Sequence, residues 1–512
     1  MSEHRSGHHS VDEEDEGTPL WGHLPLVRLG GLIGGPVAFF LLMLGTGIEG
    51  LSAPGQAAAA ITLLMAIWWT TEAIPIYATA LVPIVLFPLT GVLSVGETTT
   101  NYGHELIFLF LGGFMVAIAI QKWNLHRRIA LAIVGLFGTQ PTRLVLGFMV
   151  ATAFLSMWIS NTASAMMMVP IGLAVITQLT GLMGRENSAI DLRPGHFPFG
   201  MALMLGIGYA ASVGGVATII GSPPNAIFVG YISQIHGVEV TFLQWMGYGL
   251  PISVIGLLVI WYYLTRIAHP IQMEGFPGLA EVIAEERAQL PPLRGPEARV
   301  LIIFCLVAGL WILRGVSGPI LQQVGLAGLN DTTIAIFGGV LLFLVPARLE
   351  ENEFLLDWSD TKQVPWGILV LFGGGLALAS GIEESGLAGW LAERLHGLEN
   401  APMLLVLAAL VLMVIFLTEV TSNTSTASIF VPIVAILAGV VGIHPYVLMV
   451  AVVTAASCAF MLPIATPPNA VVFASEYVTM RQMMRAGIWL NLTFVFLITI
   501  AGYLWVPLVW GL

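Results

Sequence analysis

Two tripeptides of neutral, oxygen-bearing side chains, Ser160-Asn161-Thr162 and Ser422-Asn423-Thr424, stand inside apolar stretches of this 512-residue chain. Each has a hydroxyl residue ahead of it, Ser156 or Thr418. Each is followed by a second motif, Gly221-Ser222-Pro223-Pro224-Asn225 or Ala465-Thr466-Pro467-Pro468-Asn469. Hydroxyls, side-chain amides and free backbone carbonyls are what a hard, oxygen-preferring cation takes as ligands. Pro-Pro frees carbonyls, because two backbone donors are missing and the preceding residue is pushed out of helical geometry. In hydrocarbon such carbonyls are costly unless something satisfies them. Ser156, Ser160, Asn161 and the backbone near Gly221 are therefore expected to surround one ion such as sodium. Thr418, Asn423 and the backbone near Thr421 and Ala465 are expected to surround a second.

The same residues suit an anion. The tips of broken helices expose N–H groups and positive dipole ends. The hydroxyls of Thr162, Ser222, Thr424 and Thr466, with the amides of Asn161 and Asn423, add neutral donors for carboxylates. No lysine or arginine lies near either motif. A dianion bound here would have to be neutralised by bound cations and dipoles, which is a physical reason for cation coupling. A lone Ser-Asn-Thr is ordinary helix-contact packing, and a lone Pro-Pro is a turn. Two copies of both, in register, need more than that.

The copies match closely. Phe154-Leu155-Ser156 answers Phe416-Leu417-Thr418, and Val169-Pro170-Ile171 answers Val431-Pro432-Ile433, both at an offset of 262. Upstream, Gly112-Gly113 answers Gly373-Gly374 at 261, and the Pro-Pro motifs match at 244, leaving 18 extra residues in the first copy near the polar segment 184–198. The elements that must position these motifs are membrane helices. Charged residues are 9% of the chain, against about 25% in soluble proteins, and the mean hydropathy is +0.89. Apolar runs at 27–47, 51–71, 77–95, 105–121, 199–230, 247–266, 299–316, 331–347, 365–382, 446–475 and 487–510 are suited to cross a bilayer as helices. That makes eleven expected spans. Two further stretches, 144–182 and 402–441, are too long for one crossing and are interrupted by the Ser-Asn-Thr motifs. They read as re-entrant hairpins. Five crossings then separate the two copies, an odd number that turns the second upside down: an inverted-topology repeat, the plan of many secondary transporters.

With the N-terminus inside, 16 of the 18 lysines and arginines fall on the cytoplasmic side, with Arg314 and Arg394 the exceptions. The C-terminus is then periplasmic or extracellular. The polar N-terminal segment carries the run Asp12 to Glu16, lacks an apolar leader, and reads as a disordered tail over 1–25. His8 and His9 there are weak evidence for metal. The net charge of −12 argues against a nucleic-acid partner. Cys305 and Cys458 lie in apolar runs and imply no disulfide. Glu72 and Glu419 are acidic residues at or near membrane depth and so functional candidates. Glu72 is alternatively at a water interface, and Glu419 either tunes cation affinity or faces a hydrated cavity. Glu383 and Glu384 look solvated, and His104, His126 and His444 fall near span ends, where interfacial packing is their expected role. The absence of a nucleophile–base pair or a metal-ligand cluster argues against an enzyme, and no organic cofactor is called for. The paired broken helices argue against a channel.

Ser-Met-Trp-Ile-Ser-Asn-Thr at 156–162, Gly-Ser-Pro-Pro-Asn at 221–225, Thr-Ser-Asn-Thr at 421–424 and Ala-Thr-Pro-Pro-Asn at 465–469 resemble the divalent-anion/sodium symporter family. The resemblance runs from about residue 50 to the C-terminus. It implies an all-α polytopic homodimer with eleven spans and two re-entrant hairpins, in which a transport domain moves as an elevator against a scaffold. By resemblance, Ser156, Ser160, Asn161 and Gly221 form one sodium site and Thr418, Thr421, Asn423 and Ala465 the other. Substrate carboxylates would meet Asn161, Thr162, Ser222, Ser422, Asn423, Thr424, Thr466 and Pro467. Thr421 stands where some members have alanine, a change that a backbone ligand tolerates. The expected division is scaffold at 26–104 and 247–364, transport repeats at 105–246 and 365–486, and a C-terminal span at 487–512. The expected activity is sodium-coupled inward symport of C4-dicarboxylates such as succinate, fumarate or malate. Dicarboxylate exchange, or citrate or sulfate carriage, stays open, since hydroxyls and amides suit all these anions.

Overall fold

The computed structural model describes residues 25–45, 47–185, 191–272, 288, 290–323, 328–395, 397 and 401–512. The acidic tail with Arg5, His8 and His9, and Arg287, lie outside the described residues. Among the described residues, nine helices are long and apolar enough to cross a bilayer, with five shorter apolar helices beside them. The sheet content is one short antiparallel ribbon, Pro346–Arg348 with Glu353–Phe354. The molecule exposes large apolar side chains on its outside, such as Ile302 and Val316, 66% and 72% exposed. Water would not tolerate such a surface, and a bilayer covers it. The chain is a multi-pass membrane protein.

Helices α1 (Leu26–Leu44), α2 (Ala53–Thr71) and α3 (Val82–Thr90) come first. The expected span at 77–95 is split, because Pro75 and Pro83 each open a helix of their own. The first repeat follows as α4 (Glu105–Lys122), α5 (Leu125–Leu136), α6 (Pro141–Ser156), α7 (Asn161–Arg185), α8 (Pro198–Gly215), α9 (Pro223–His236) and α10 (Phe242–Tyr263). After α11 (Pro296–Gln323) and α12 (Asp331–Leu344), the second runs as α13 (Trp366–Glu384), α14 (Leu387–Arg394), α15 (Met403–Thr418), α16 (Asn423–Val441), α17 (Pro445–Ala456), α18 (Pro467–Phe473) and α19 (Met480–Ile500). α20 (Val506–Trp510) ends the chain.

The repeat is deeper than its motifs. α10 and α19 both open with a capping box, Thr241 with Gln244 and Thr479 with Gln482, and both run on into a wider π turn, Leu264–Ala268 and Ala501–Trp505. His104 and His444 have a more specific role than interfacial packing: each caps a helix, accepting from Leu106 N at 3.3 Å and from Tyr446 N at 3.4 Å. The short helices α5 and α14 are absent from the expected spans. They are amphipathic connectors, too short to cross, with Arg127, Arg128 and Arg394 on their polar sides. The repeated glycine pairs mark close helix contacts. A Cβ on Gly112 would lie 2.4 Å from the Ala335 carbonyl carbon, and one on Gly374 2.4 Å from Ala80 O.

Packing then brings the motifs together. The return arm of each hairpin seats on the other repeat's second half-helix: α7 packs on α18, and α16 on α9. Glu72 caps α2 in a left-handed conformation (φ 47°) and is exposed, as are Glu383 and Glu384. Water-interface residues behave this way. Cys305 is exposed and Cys458 buried, both free.

Candidate cation and anion site

Pro-Pro opens a helix here. The unwound segments lie ahead of it, at 216–222 between α8 and α9 and at 457–466 between α17 and α18. A proline in the first turn lacks only an N–H that would be unpaired anyway, and its φ already suits a helix. The sequence places the break on Ser/Thr-Pro-Pro-Asn; the structure moves it upstream, to the residues whose carbonyls lose their donors.

The asparagine that closes each motif clamps that unwound backbone. Asn225 Nδ2 donates to Gly215 O at 3.0 Å and Thr218 O at 2.7 Å. Asn469 Nδ2 donates to Ala459 O at 3.0 Å and Leu462 O at 3.1 Å. All three positions correspond at the offset of 244, and both asparagines are fully buried. Sequence reasoning gave neither a role, although recurrence of Asn after both Pro-Pro pairs was a usable signal.

In the first repeat Ser156 Oγ donates to Ala211 O at 2.7 Å. One amide atom of Asn161 lies 2.5 Å from that hydroxyl, 3.1 Å from Gly221 O and 3.2 Å from Ala211 O. Other carbonyls crowd the same spot. A Cβ on Gly221 would meet Gly215 O at 2.6 Å and Ser156 O at 2.9 Å, and one on Gly215 would meet Asn161 Oδ1 at 2.5 Å. With nitrogen inward, the Asn161 amide donates to these oxygens. With oxygen inward, it joins the Ser156 hydroxyl and these carbonyls as one more acceptor. Thr218 ties the hairpin turn to the break, donating to Met157 O at 2.6 Å and accepting from Gly221 N at 3.1 Å. The Ser160 hydroxyl caps α7, accepting from Ala163 N at 3.2 Å.

The second repeat follows the same plan with different residues at several positions. Thr418 Oγ1 lies 2.7 Å from Asn423 Oδ1 and 3.0 Å from Ala456 O. Thr421 Oγ1 donates to Leu417 O at 2.9 Å and lies 2.7 Å from Thr426 Oγ1. Ala465 is buried, Thr466 caps α18 by accepting from Asn469 N at 3.3 Å, and Pro467 is exposed. Where the first repeat has Met157, the second has Glu419. Its Oε1 accepts from Phe460 N (2.7 Å), Met461 N (2.9 Å) and Asn491 Nδ2 (2.7 Å), and its Oε2 from Leu462 N at 3.0 Å. With 3% exposure and its donors in place, Glu419 does not face a hydrated cavity. It holds the second break as Thr218 holds the first.

The two breaks meet. Ser222 Oγ and Ser457 Oγ are 3.1 Å apart and buried, joining the repeats at their unwound segments. Ser457 carried no sequence signal, having no counterpart in the first copy. The hydroxyls of Thr162, Ser422 and Thr424 and the Asn423 Nδ2 group are partly exposed and have no protein partner among the described residues. The N-termini of α7, α9 and α16 begin at the same motifs. Oxygen clusters thus stand at the same motifs as free neutral donors, and among the described residues no arginine or lysine intervenes.

The chain is similar to known transporters. A family model described as the sodium:sulfate symporter transmembrane region matches residues 36–511. A protein of Staphylococcus saprophyticus named sodium-dependent dicarboxylate transporter SdcS is 44% identical over 486 residues, covering 95% of this chain and 92% of that protein. Its namesake in Staphylococcus aureus is equally similar, at 44% over 486 residues. Among solved structures, the Alcanivorax borkumensis YdaH transporter, described as having an unusual topology, aligns with a TM-score of 0.54 at 14% identity. That alignment covers 90% of this chain and 99% of the other, a likeness of fold.

Proposed function

Since the chain belongs to the sodium:sulfate symporter family, we propose that it is a secondary active transporter that carries C4-dicarboxylates such as succinate, fumarate and malate into the cytoplasm with sodium. The observation that carries this reading is the duplicated oxygen cluster. Ser156, Asn161 and the carbonyls of Gly215 and Gly221 face one another in one repeat, and Thr418, Asn423 and Ala456 O in the other. One sodium would be held by Ser156, Ser160, Asn161 and Gly221, and a second by Thr418, Thr421, Asn423 and Ala465. The substrate carboxylates would bridge the two tips, taking donors from Asn161, Thr162, Ser222, Ser422, Asn423, Thr424 and Thr466 and packing against Pro467, which has no N–H to give. Substrate charge and ion charge then stabilise each other in a site without cationic side chains. The relatives named for sodium-dependent dicarboxylate transport support both halves of the reading.

Two sodium ions balance one dianion. Each further ion makes transport electrogenic and gains about 2.3 kcal/mol per 100 mV. The remaining expectations join the proposal: a homodimer, an elevator movement of the hairpins and broken helices against the other spans, a cytoplasmic N-terminus and an outward C-terminus. The deciding experiment is uptake of labelled succinate into proteoliposomes, with and without an inward sodium gradient, with sulfate or citrate as competitors. Sodium-driven accumulation that excess unlabelled succinate blocks and sulfate does not is expected. Sodium-independent uptake that requires internal dicarboxylate would replace symport by exchange.

A further inference from the structure

α10 and α19 lie side by side, and their two ends are finished differently. At one end Trp505, on the π turn after α19, donates to Gly247 O at 3.0 Å and closes the seam. At the other, where the π turn after α10 meets the start of α19, a cleft of about 590 Å³ stays open. It is lined by Tyr263 and His269 from one side and by Gln482, Arg485, Trp489 and Thr493 from the other. The last four lie at helical spacing, on one face of α19. Arg485 is exposed and has no hydrogen-bond or carboxylate partner among the described residues, and His269 Nε2 is buried without one. This is the end of the molecule that the arginine distribution assigns to the cytoplasm.

The cleft is amphipathic along its length. Arg485 gives the polar mouth its positive charge, with Gln482 and a His269 ring that burial keeps neutral by lowering its pKa to about 4, whereas Trp489, 59% exposed, and Thr493 lead along α19 onto the outer surface that a bilayer covers. Tryptophan and tyrosine settle where hydrocarbon meets headgroups. Basic pockets between helices on that side of a membrane hold anionic headgroups. A soluble dicarboxylate would use the mouth and leave the apolar run unused. We propose that this cleft binds an anionic phospholipid, its phosphate at Arg485 and His269 and its acyl chain along Trp489 and Thr493.

The test uses the full-length protein in nanodiscs of phosphatidylcholine containing phosphatidylglycerol brominated on its acyl chains. Quenching of Trp489 is read as wild type minus Trp489→Phe. Wild type and Arg485→Lys should be half-quenched at a roughly fivefold lower mole fraction of the anionic lipid than Arg485→Gln, the size expected for one basic side chain at a membrane surface. Brominated phosphatidylcholine should quench all three alike and only at high mole fraction. Identical curves for wild type and Arg485→Gln, with matching melting profiles in phosphatidylcholine, would overturn the proposal. So would reversal of the quenching by millimolar glycerol phosphate or by succinate, which would assign the cleft to a soluble anion.

Discussion

Replacing Glu419 tests whether the second break is held by a carboxylate. The side chain takes four hydrogen bonds, from Phe460 N, Met461 N, Leu462 N and Asn491 Nδ2, all where water is scarce. Glu419→Ala leaves three backbone N–H groups without an acceptor. At about 1–3 kcal/mol for each buried group left unsatisfied, the loss sums to roughly 3–9 kcal/mol. That is comparable to the whole stability of an ordinary domain, so the variant should fail to accumulate or should melt far below wild type. Glu419→Gln separates charge from shape. With its oxygen at the Oε1 position the amide keeps Phe460, Met461 and Asn491, but its NH₂ then faces Leu462 N–H. One lost bond and one donor–donor contact cost about 1–3 kcal/mol. This variant should fold, melt several degrees lower, and need several-fold more sodium for half-maximal uptake, because Ala465, proposed for the second sodium, lies on the same unwound segment as the displaced residues. The assays are thermal unfolding of the purified protein and succinate uptake against sodium concentration. Wild-type melting and sodium dependence in Glu419→Ala would refute the reasoning.

Three further outcomes follow from the same geometry. Asn161→Ala or Asn423→Ala should abolish sodium-dependent uptake while leaving a monodisperse, folded protein; retained full activity would remove these residues from the site. Asn225→Ala and Asn469→Ala each release two clamped carbonyls, so each should lower stability by about 1–3 kcal/mol and depress transport, as read by melting and uptake together. Gly221→Ala puts a methyl 2.6 Å from Gly215 O and should eliminate uptake, whereas Gly113→Ala meets nothing closer than Ile220 at 3.5 Å and should transport like wild type.

The glycine comparison also shows how far the sequence can be read. Gly112-Gly113 recurs as Gly373-Gly374, whereas the position of Gly221 is Ala465 in the second copy; the pair serves helix contact and Gly221 lies in the oxygen cluster. Only coordinates separate the two uses. Glu419 is similar: its position beside Ser-Asn-Thr marks it as unusual, but the three N–H groups it accepts come from residues about 41–43 positions further on. Ser457 has no periodicity, charge or repeat to mark it. Its importance comes from lying opposite Ser222.

The sequence by itself determined the helical membrane class, the duplication, the two hairpin tips and the neutral chemistry of the site. Hydrophobic run length and proline chemistry are local properties that constrain a helix whatever surrounds it, and the duplication shows in the recurrence of the motifs alone. The tertiary structure decided which carbonyls converge, which asparagines clamp and which carboxylate supports a break. It also showed that the break expected at each Ser/Thr-Pro-Pro-Asn lies just ahead of the prolines, which open the second half-helix. Those outcomes depend on contacts within each repeat between the hairpin and the broken helix, such as Ser156 with Ala211 and Glu419 with Phe460, and on a contact between repeats that joins Ser222 to Ser457, and no local pattern encodes them. Residues unwind where tertiary neighbours offer their carbonyls and N–H groups other partners, so the location of the breaks belongs to the assembled fold.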